Sequence, residues 1–147
     1  MTHRLLPIAI LLAVFPLAQA SAAAEYLTSP ATTARNLPFS EAVRVANMLY
    51  LSGQIGADPA TGSLVAGGIK AETRQVMENI KAVLERNDSS LEKVVKCTVM
   101  IENIAEWGDF NEVYVTYFPG PKPARSAFGA AGLALGAKVE VECWAAQ

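Results

Sequence analysis

The order of helical and strand-like periodicities after residue 40 constrains the fold most. Between residues 69 and 87, apolar side chains recur at helical spacing with charged and amide residues between them, which predicts an amphipathic helix. Val94–Ile101 alternates and predicts a half-buried strand whose inner face carries Val95 and Cys97. Asn103 and Glu106 then mark the start of a second helix. The apolar stripe of that helix, which we assign to core packing, is Phe110, Val113, Tyr114, Tyr117 and Phe118.

Short strands are predicted on both sides of this helix–strand–helix segment. Residues 42–45 and 48–52 indicate a hairpin with a tight turn at Ala46 and Asn47. Three prolines in residues 119–123 end the second helix, and residues 124–131 and 138–145 predict two closing strands. The sum is an α/β or α+β sandwich, with two helices on one face of a mixed β-sheet.

The amino-terminal segment has a different composition. Residues 5–17 are almost wholly apolar, follow His3 and Arg4, and precede the small residues around Ala20, which is typical of a cleaved secretory signal. The apolar run is too short for a membrane-spanning helix. We therefore predict a signal peptide at 1–20, a polar lead-in at 21–37 and one folded domain at 38–147, with cleavage after Ala24 as a variant and an exported, periplasmic or secreted product.

Charge and histidine content exclude several classes of function. The chain has 12 Lys and Arg, 14 Asp and Glu, and a single histidine at position 3. A mildly acidic chain with dispersed cations does not favour nucleic-acid binding. Removal of the signal would remove the only imidazole and with it every His-dependent triad and His-ligated metal site.

Cys97 and Cys143 are the only cysteines. Each lies in an apolar, alternating run, so we expect buried free thiols. A disulfide in an oxidising compartment and, least of all, a catalytic thiol remain as alternatives.

Arg125 is the first candidate for a functional residue. It stands where the proline-rich loop meets a predicted strand, a position that directs a side chain from a stiff base. A guanidinium matches a carboxylate with two parallel hydrogen bonds, so Arg125 suits a small anionic substrate. A surface Arg or an intersubunit ion pair is the alternative reading.

Glu140 and Glu142 are the second candidate. Alternation places both carboxylates on one face of the last strand, opposite Val139, Val141 and Cys143. Partial burial would raise the pKa of one of them and make it a general base. A solvated or intersubunit face is again the alternative.

Four motifs carry a resemblance that covers residues 38–145. Residues 51–55 (LSGQI), 73–80 (TRQVMENI), 110–114 (FNEVY) and 123–126 (PARS) resemble the RidA family, also called YjgF, the reactive intermediate deaminases. This resemblance implies a chorismate-mutase-like sandwich that forms a homotrimer with a central barrel and clefts between subunits. It also implies hydrolysis of 2-imino acids, the tautomers of enamines such as 2-aminoacrylate, to 2-keto acids and ammonia, without a metal or an organic cofactor.

The resemblance also assigns site residues. It implies that Arg125 binds the substrate carboxylate and that Glu140 positions or activates water, while Ser52, Gly53 and Asn111 line the cleft. Such a reaction suits a site without histidine, because an imine carbon is already electrophilic and needs mainly orientation.

Two positions depart from the family pattern. Phe39 stands where the family commonly has a tyrosine that faces the ligand, and Ala127 replaces a frequent cysteine. Loss of the tyrosine hydroxyl keeps a second hypothesis open, a non-catalytic module that binds small carboxylates or a protein partner. RNA cleavage, which is linked to some relatives, fits an acidic and exported chain less well.

Overall fold

The structure, a computed structural model, describes residues 23–147. The predicted signal peptide lies outside these residues. The strands are β1 (Ala24–Leu27), β2 (Ala42–Val45), β3 (Met48–Leu51), β4 (Gln54–Ile55), β5 (Val94–Ile101), β6 (Ala124–Gly129) and β7 (Val139–Ala146). The helices are α1 (Pro30–Ala34), α2 (Gly68–Arg86) and α3 (Trp107–Tyr114).

The strands form one mixed sheet in the order β1-β2-β3-β7-β5-β6, and β4 also pairs with β7. Only β5 and β6, which α3 connects, run parallel; the other pairs are antiparallel. The apolar sides of α2 and α3 cover one face of this sheet and form the core with it. The predicted fold class, a mixed sheet with two helices on one face, is confirmed.

Helix α2 follows its predicted bounds closely. Gly67 and Gly68, both at positive φ, lead into it, and Asn87 ends it. Val76, Met77 and Ile80 are fully buried against the sheet, because they recur once per helical turn on one side. The second predicted helix is shorter: Asn103 caps a 3₁₀ turn at Ile104–Glu106, and α3 begins only at Trp107.

The two cysteines form a disulfide, so the expectation of free thiols is wrong. Cys97 in β5 and Cys143 in β7 are directly opposite each other, with Cα atoms 4.2 Å apart, and both are fully buried. Alternation placed each cysteine on an inner face, but only the register of the two strands makes them neighbours.

Val95 is another correction. We predicted that it shares the inner face with Cys97, but a register shift between β5 and β7 lies between Val94 and Lys96. Val94 is buried in its place and Val95 is 46% exposed, because one inserted residue reverses the side to which the preceding side chains point.

The lead-in contains two elements that the sequence analysis did not predict. β1 pairs with β2 along four residues and extends the sheet by one strand. Ser29 caps α1 through a hydrogen bond from the backbone N–H of Thr32, and Pro30 occupies its first turn. This Ser-Pro pair is a helix-start signal. In residues 23–147 no helix is both long and apolar enough to span a bilayer.

Candidate active site

Arg125 lies on the helix-covered face of the sheet. It is the second residue of β6, and its partner in the parallel register is the inward-facing Cys97. The Arg125 Nη1 donates a hydrogen bond to Asn111 Oδ1 of α3, with 2.8 Å between the two atoms. The predicted pair of Arg125 and Asn111 is therefore in direct contact.

Three aromatic rings of α3 surround the same guanidinium. Its central carbon lies 5.1 Å from the ring centroid of Trp107, 5.7 Å from that of Phe110 and 4.9 Å from that of Tyr114. At such distances a cation is attracted to the faces of the rings. Burial raises the pKa of the Tyr114 hydroxyl, although the charge of Arg125 acts in the opposite direction. Arg125 is thus held by one amide and three rings.

Sequence reasoning missed these contacts. It assigned Phe110 and Tyr114 to the core, which is correct, but they also face Arg125. It did not consider Trp107. The spacing of 107, 110 or 111, and 114 was the available signal, because residues three and four apart share one helix face.

A cavity of about 560 Å³ adjoins Arg125. Its walls come from α3, from the turn that follows α3 and from the proline-rich loop, and they include Asn111, Phe118 and Lys122. The lining also includes Glu112, whose carboxylate is paired with Lys70 at 2.7 Å. The two cations and the amide of this largely apolar cavity therefore suit a small carboxylate.

Glu140 and Glu142 lie on the opposite face of the sheet. Val139, Val141 and Cys143 are fully buried under the helices, whereas the two glutamates point away and are half-buried. Burial raises the pKa of Glu140, and the nearby Glu142 carboxylate raises it further. The predicted shared face and the raised pKa are both present.

Gly53 lies against Glu140. A Cβ at position 53 would overlap the Glu140 carboxylate oxygen Oε1, so the missing side chain makes room for that carboxylate. The hydroxyl of Ser52 already has a partner within the chain, because its Oγ donates a hydrogen bond to the carbonyl oxygen of Ser40 at 2.6 Å. Ser52 therefore fixes the strand entry beside Gly53.

Phe39 is 49% exposed and lines a second cavity, of about 590 Å³, between α1, α2 and β4. Gly53 lines this cavity too. Phe39, Gly53 and Glu140 thus belong to one region of the chain, while Arg125 and Asn111 belong to another.

The two groups do not share a face within one chain. β5 separates their strands, and the row that contains Arg125 faces the helices, while the row that contains Glu140, Met100 and Phe128 faces away from them. Within residues 23–147 no cluster of three or more His, Cys, Asp or Glu side chains could hold a metal ion.

Comparison with known proteins gives a consistent result. Residues 28–147 match the family model described as endoribonuclease L-PSP. The chain is 42% identical over 110 residues to the mouse protein named 2-iminobutanoate/2-iminopropanoate deaminase, which covers 75% of this chain and 82% of the mouse protein.

Solved structures agree. The crystal structure of RidA from the Antarctic bacterium Psychrobacter has a TM-score of 0.74 and 36% identity, and the match covers 88% of this chain and all of that one. The structure of Escherichia coli TdcF with bound serine has a TM-score of 0.72 and 31% identity, over 76% and 89% of the two chains. The match to the family model, the identity to these relatives and the four sequence motifs agree, and the chain belongs to the RidA/YjgF family.

Proposed function

We propose that this protein hydrolyses 2-imino acids to 2-keto acids and ammonia. The observation that carries the proposal is Arg125, whose guanidinium is held by Asn111 and three aromatic rings beside a cavity. A fixed guanidinium binds a carboxylate in one orientation, and orientation is most of what imine hydrolysis requires. Relatives at about 40% identity are named as deaminases of 2-iminobutanoate and 2-iminopropanoate.

Glu140 is the base in this proposal. Its raised pKa brings the carboxylate closer to a neutral working pH and makes it a better proton acceptor. Water attacks C2 of the protonated imine, its oxygen bonds to that carbon, and its proton passes to Glu140. Glu140 then returns that proton to the amino nitrogen of the resulting aminoalcohol. The C–N bond breaks with its electron pair going to nitrogen, the hydroxyl proton passes to Glu140 as the C=O bond of the 2-keto acid forms, and this proton leaves with ammonia.

We also propose that three copies of the chain assemble and combine the two groups of residues at each interface. Support comes from the opposite placement of Arg125 and Glu140 and from the uncovered face of the sheet. On that face Tyr50 and Trp144 lie in adjacent strands with ring centroids 5.2 Å apart, and they are 37% and 41% exposed. Exposed aromatic surface of this kind marks an interaction site.

Export is the third part of the proposal. It rests on the apolar segment at residues 5–17 and gains support from the Cys97–Cys143 disulfide, because disulfides persist mainly in oxidising compartments. Cell fractionation and amino-terminal sequencing of the mature protein test it. A product that begins at Met1 and stays in the cytoplasm would contradict it.

The test of activity is a coupled assay. An amino-acid oxidase generates 2-iminobutanoate in situ, and 2-oxobutanoate formation is followed with and without the protein. We expect Arg125→Ala to lower kcat/KM by about 100-fold or more, since it removes a charge-assisted carboxylate contact from an orienting site. Lys81→Ala, at an exposed residue of α2 whose ion pair is with Glu85 of the same helix, is the control.

Equal activity of the Arg125→Ala and control proteins would overturn the assignment of the site. Saturable binding of 2-oxobutanoate by calorimetry, without turnover of any imine, would instead establish the non-catalytic module that Phe39 leaves open.

A further inference from the structure

The cavity between α1, α2 and β4 is separate from the one beside Arg125. At about 590 Å³ it has the size of a small-molecule site. Its walls are mostly apolar and include Leu37, Phe39, Val83 and Leu135. Gly53 is one of the residues that line it. The cavity therefore borders the position at which Gly53 makes room for the Glu140 carboxylate.

One of the two cations of the cavity is neutralised. Arg86 Nη2 donates to Glu41 Oε2 at 3.1 Å. Glu41 also accepts hydrogen bonds from the hydroxyls of Ser29 and Thr32. Burial opposes ionisation of Glu41, but these bonds and the charge of Arg86 outweigh it and lower its pKa. Glu41 and Arg86 are therefore a satisfied pair.

Arg35 is the second cation, and its situation differs. Its Nη2 donates to the carbonyl oxygen of Pro59 at 2.8 Å, and none of the ion pairs found among residues 23–147 includes it. A guanidinium has five N–H donors in a planar fork. Arg35 and Pro59 both line the cavity, so the guanidinium brings a positive charge to the cavity wall that is not paired with a carboxylate in residues 23–147.

A short imino acid does not need this arrangement. Its side chain of one or two carbons, bound beside Glu140 and Gly53, would leave most of the cavity unused. A longer side chain that continues past Gly53 into the cavity would be able to contact its apolar walls and the Arg35 guanidinium.

We propose that this cavity receives the side chain of the substrate and that Arg35, in the cavity wall, binds a carboxylate at the end of that side chain. The substrates so selected are dicarboxylic 2-imino acids such as 2-iminoglutarate. The inference rests on the proposed deaminase function, because it places the imine carbon beside Glu140. Arg35 is a specificity-determining residue in this scheme and takes no part in the proton transfers.

Two substrates and three proteins test the proposal. Glutamate oxidase supplies 2-iminoglutarate, a general amino-acid oxidase supplies 2-iminobutanoate, and keto-acid formation is measured above the uncatalysed rate. We expect Arg35→Gln to lower kcat/KM for 2-iminoglutarate about tenfold, the effect of one exposed charge-assisted contact. It should leave 2-iminobutanoate unchanged. Arg74→Gln, an exposed position on α2 whose guanidinium bonds to its own helix, is the matched control.

Binding provides a readout that is independent of catalysis. By calorimetry, the unmodified protein should bind 2-oxoglutarate more tightly than 2-oxobutanoate, and Arg35→Gln should abolish that preference. Hydrolysis of both imines with equal sensitivity to Arg35→Gln, or with none, would overturn the proposal and leave the deaminase function intact. An Arg35-dependent preference for 2-oxoglutarate without any turnover would support the cavity assignment and refute the deaminase function.

Discussion

The two faces of the sheet carry different chemistry and different packing. The face covered by α2 and α3 forms the hydrophobic core. Arg125 lies on this face, in the edge strand β6, beside a cavity that residues of α3 line. The other face carries Glu140, Glu142, Tyr50 and Trp144, and none of the helices described in residues 23–147 covers it. In the function proposed above, Arg125 on β6 and Glu140 on β7 belong to one active site although they lie on opposite faces, and that proposal therefore requires a second copy of the chain.

The largest effect is expected from substitutions that place charges on the uncovered face of the sheet. We expect Tyr50→Lys with Trp144→Lys to convert an assembly of about three monomer masses into folded monomers without deaminase activity, because charges in an apolar interface repel and are desolvated. Light scattering and circular dichroism measure the two properties. Trp144→Phe, which keeps an aromatic ring, should retain the assembly. Persistence of the trimer mass in the double variant would contradict a role for this face.

On the face covered by the helices, removal of the disulfide should lower the stability of the protein. Cys97 and Cys143 are 46 residues apart, so replacing both with Ala should lower the free energy of unfolding by about 3 kcal/mol. Urea denaturation at one protein concentration measures it. Reduced unmodified protein should fall to a similar stability. Identical curves for the oxidised and reduced protein would show that the bond does not form in solution.

Gly53→Ala tests the role of Glu140 on the uncovered face without disturbing the core. The added methyl group meets the end of the flexible Glu140 side chain, which can move, and position 53 has no positive φ. We therefore expect kcat/KM to fall about tenfold through displacement of the carboxylate, with little change in the melting temperature. Gly120→Ala, where a Cβ meets open space, is the control. Full activity of Gly53→Ala would remove Glu140 from the site.

Glu142→Gln should have the smallest effect. The Glu142 charge raises the pKa of Glu140, so its removal lowers that pKa. The general base must be ionised, and activity is therefore lost as pH falls through the Glu140 pKa, which lies above the ordinary value of 4.5. The acid limb of the kcat/KM profile should move to lower pH in the variant. An unshifted limb would mean that another group titrates there.

Local patterns predicted local structure well. The helical spacing at 69–87 became α2, and the alternation around Glu140 placed its carboxylate on the correct face. The Ser29-Pro30 signal for α1 was present but was not used.

Features that depend on register were not predictable in the same way. The sequence does not state that Cys97 is opposite Cys143, or that Arg125 in β6 meets the rings of α3. Both contacts join residues that are distant along the chain, and both depend on how strands pair and how a connecting helix packs on them. The position after the proline-rich loop indicated Arg125, the family resemblance added Asn111, and the structure shows that the two are joined by a hydrogen bond.

The position of β7 has a consequence for how the chain acquires its structure. β7 lies between β3 and β5, yet it follows every other described strand along the chain. During synthesis, the β1-β2-β3 and β5-β6 parts of the sheet therefore emerge before the strand that joins them. The core closes only after almost all of the chain is available, which favours a late and cooperative folding step over strand-by-strand growth. A chain that folds late stays unfolded longer, and for a protein proposed to cross a membrane this delay is an advantage.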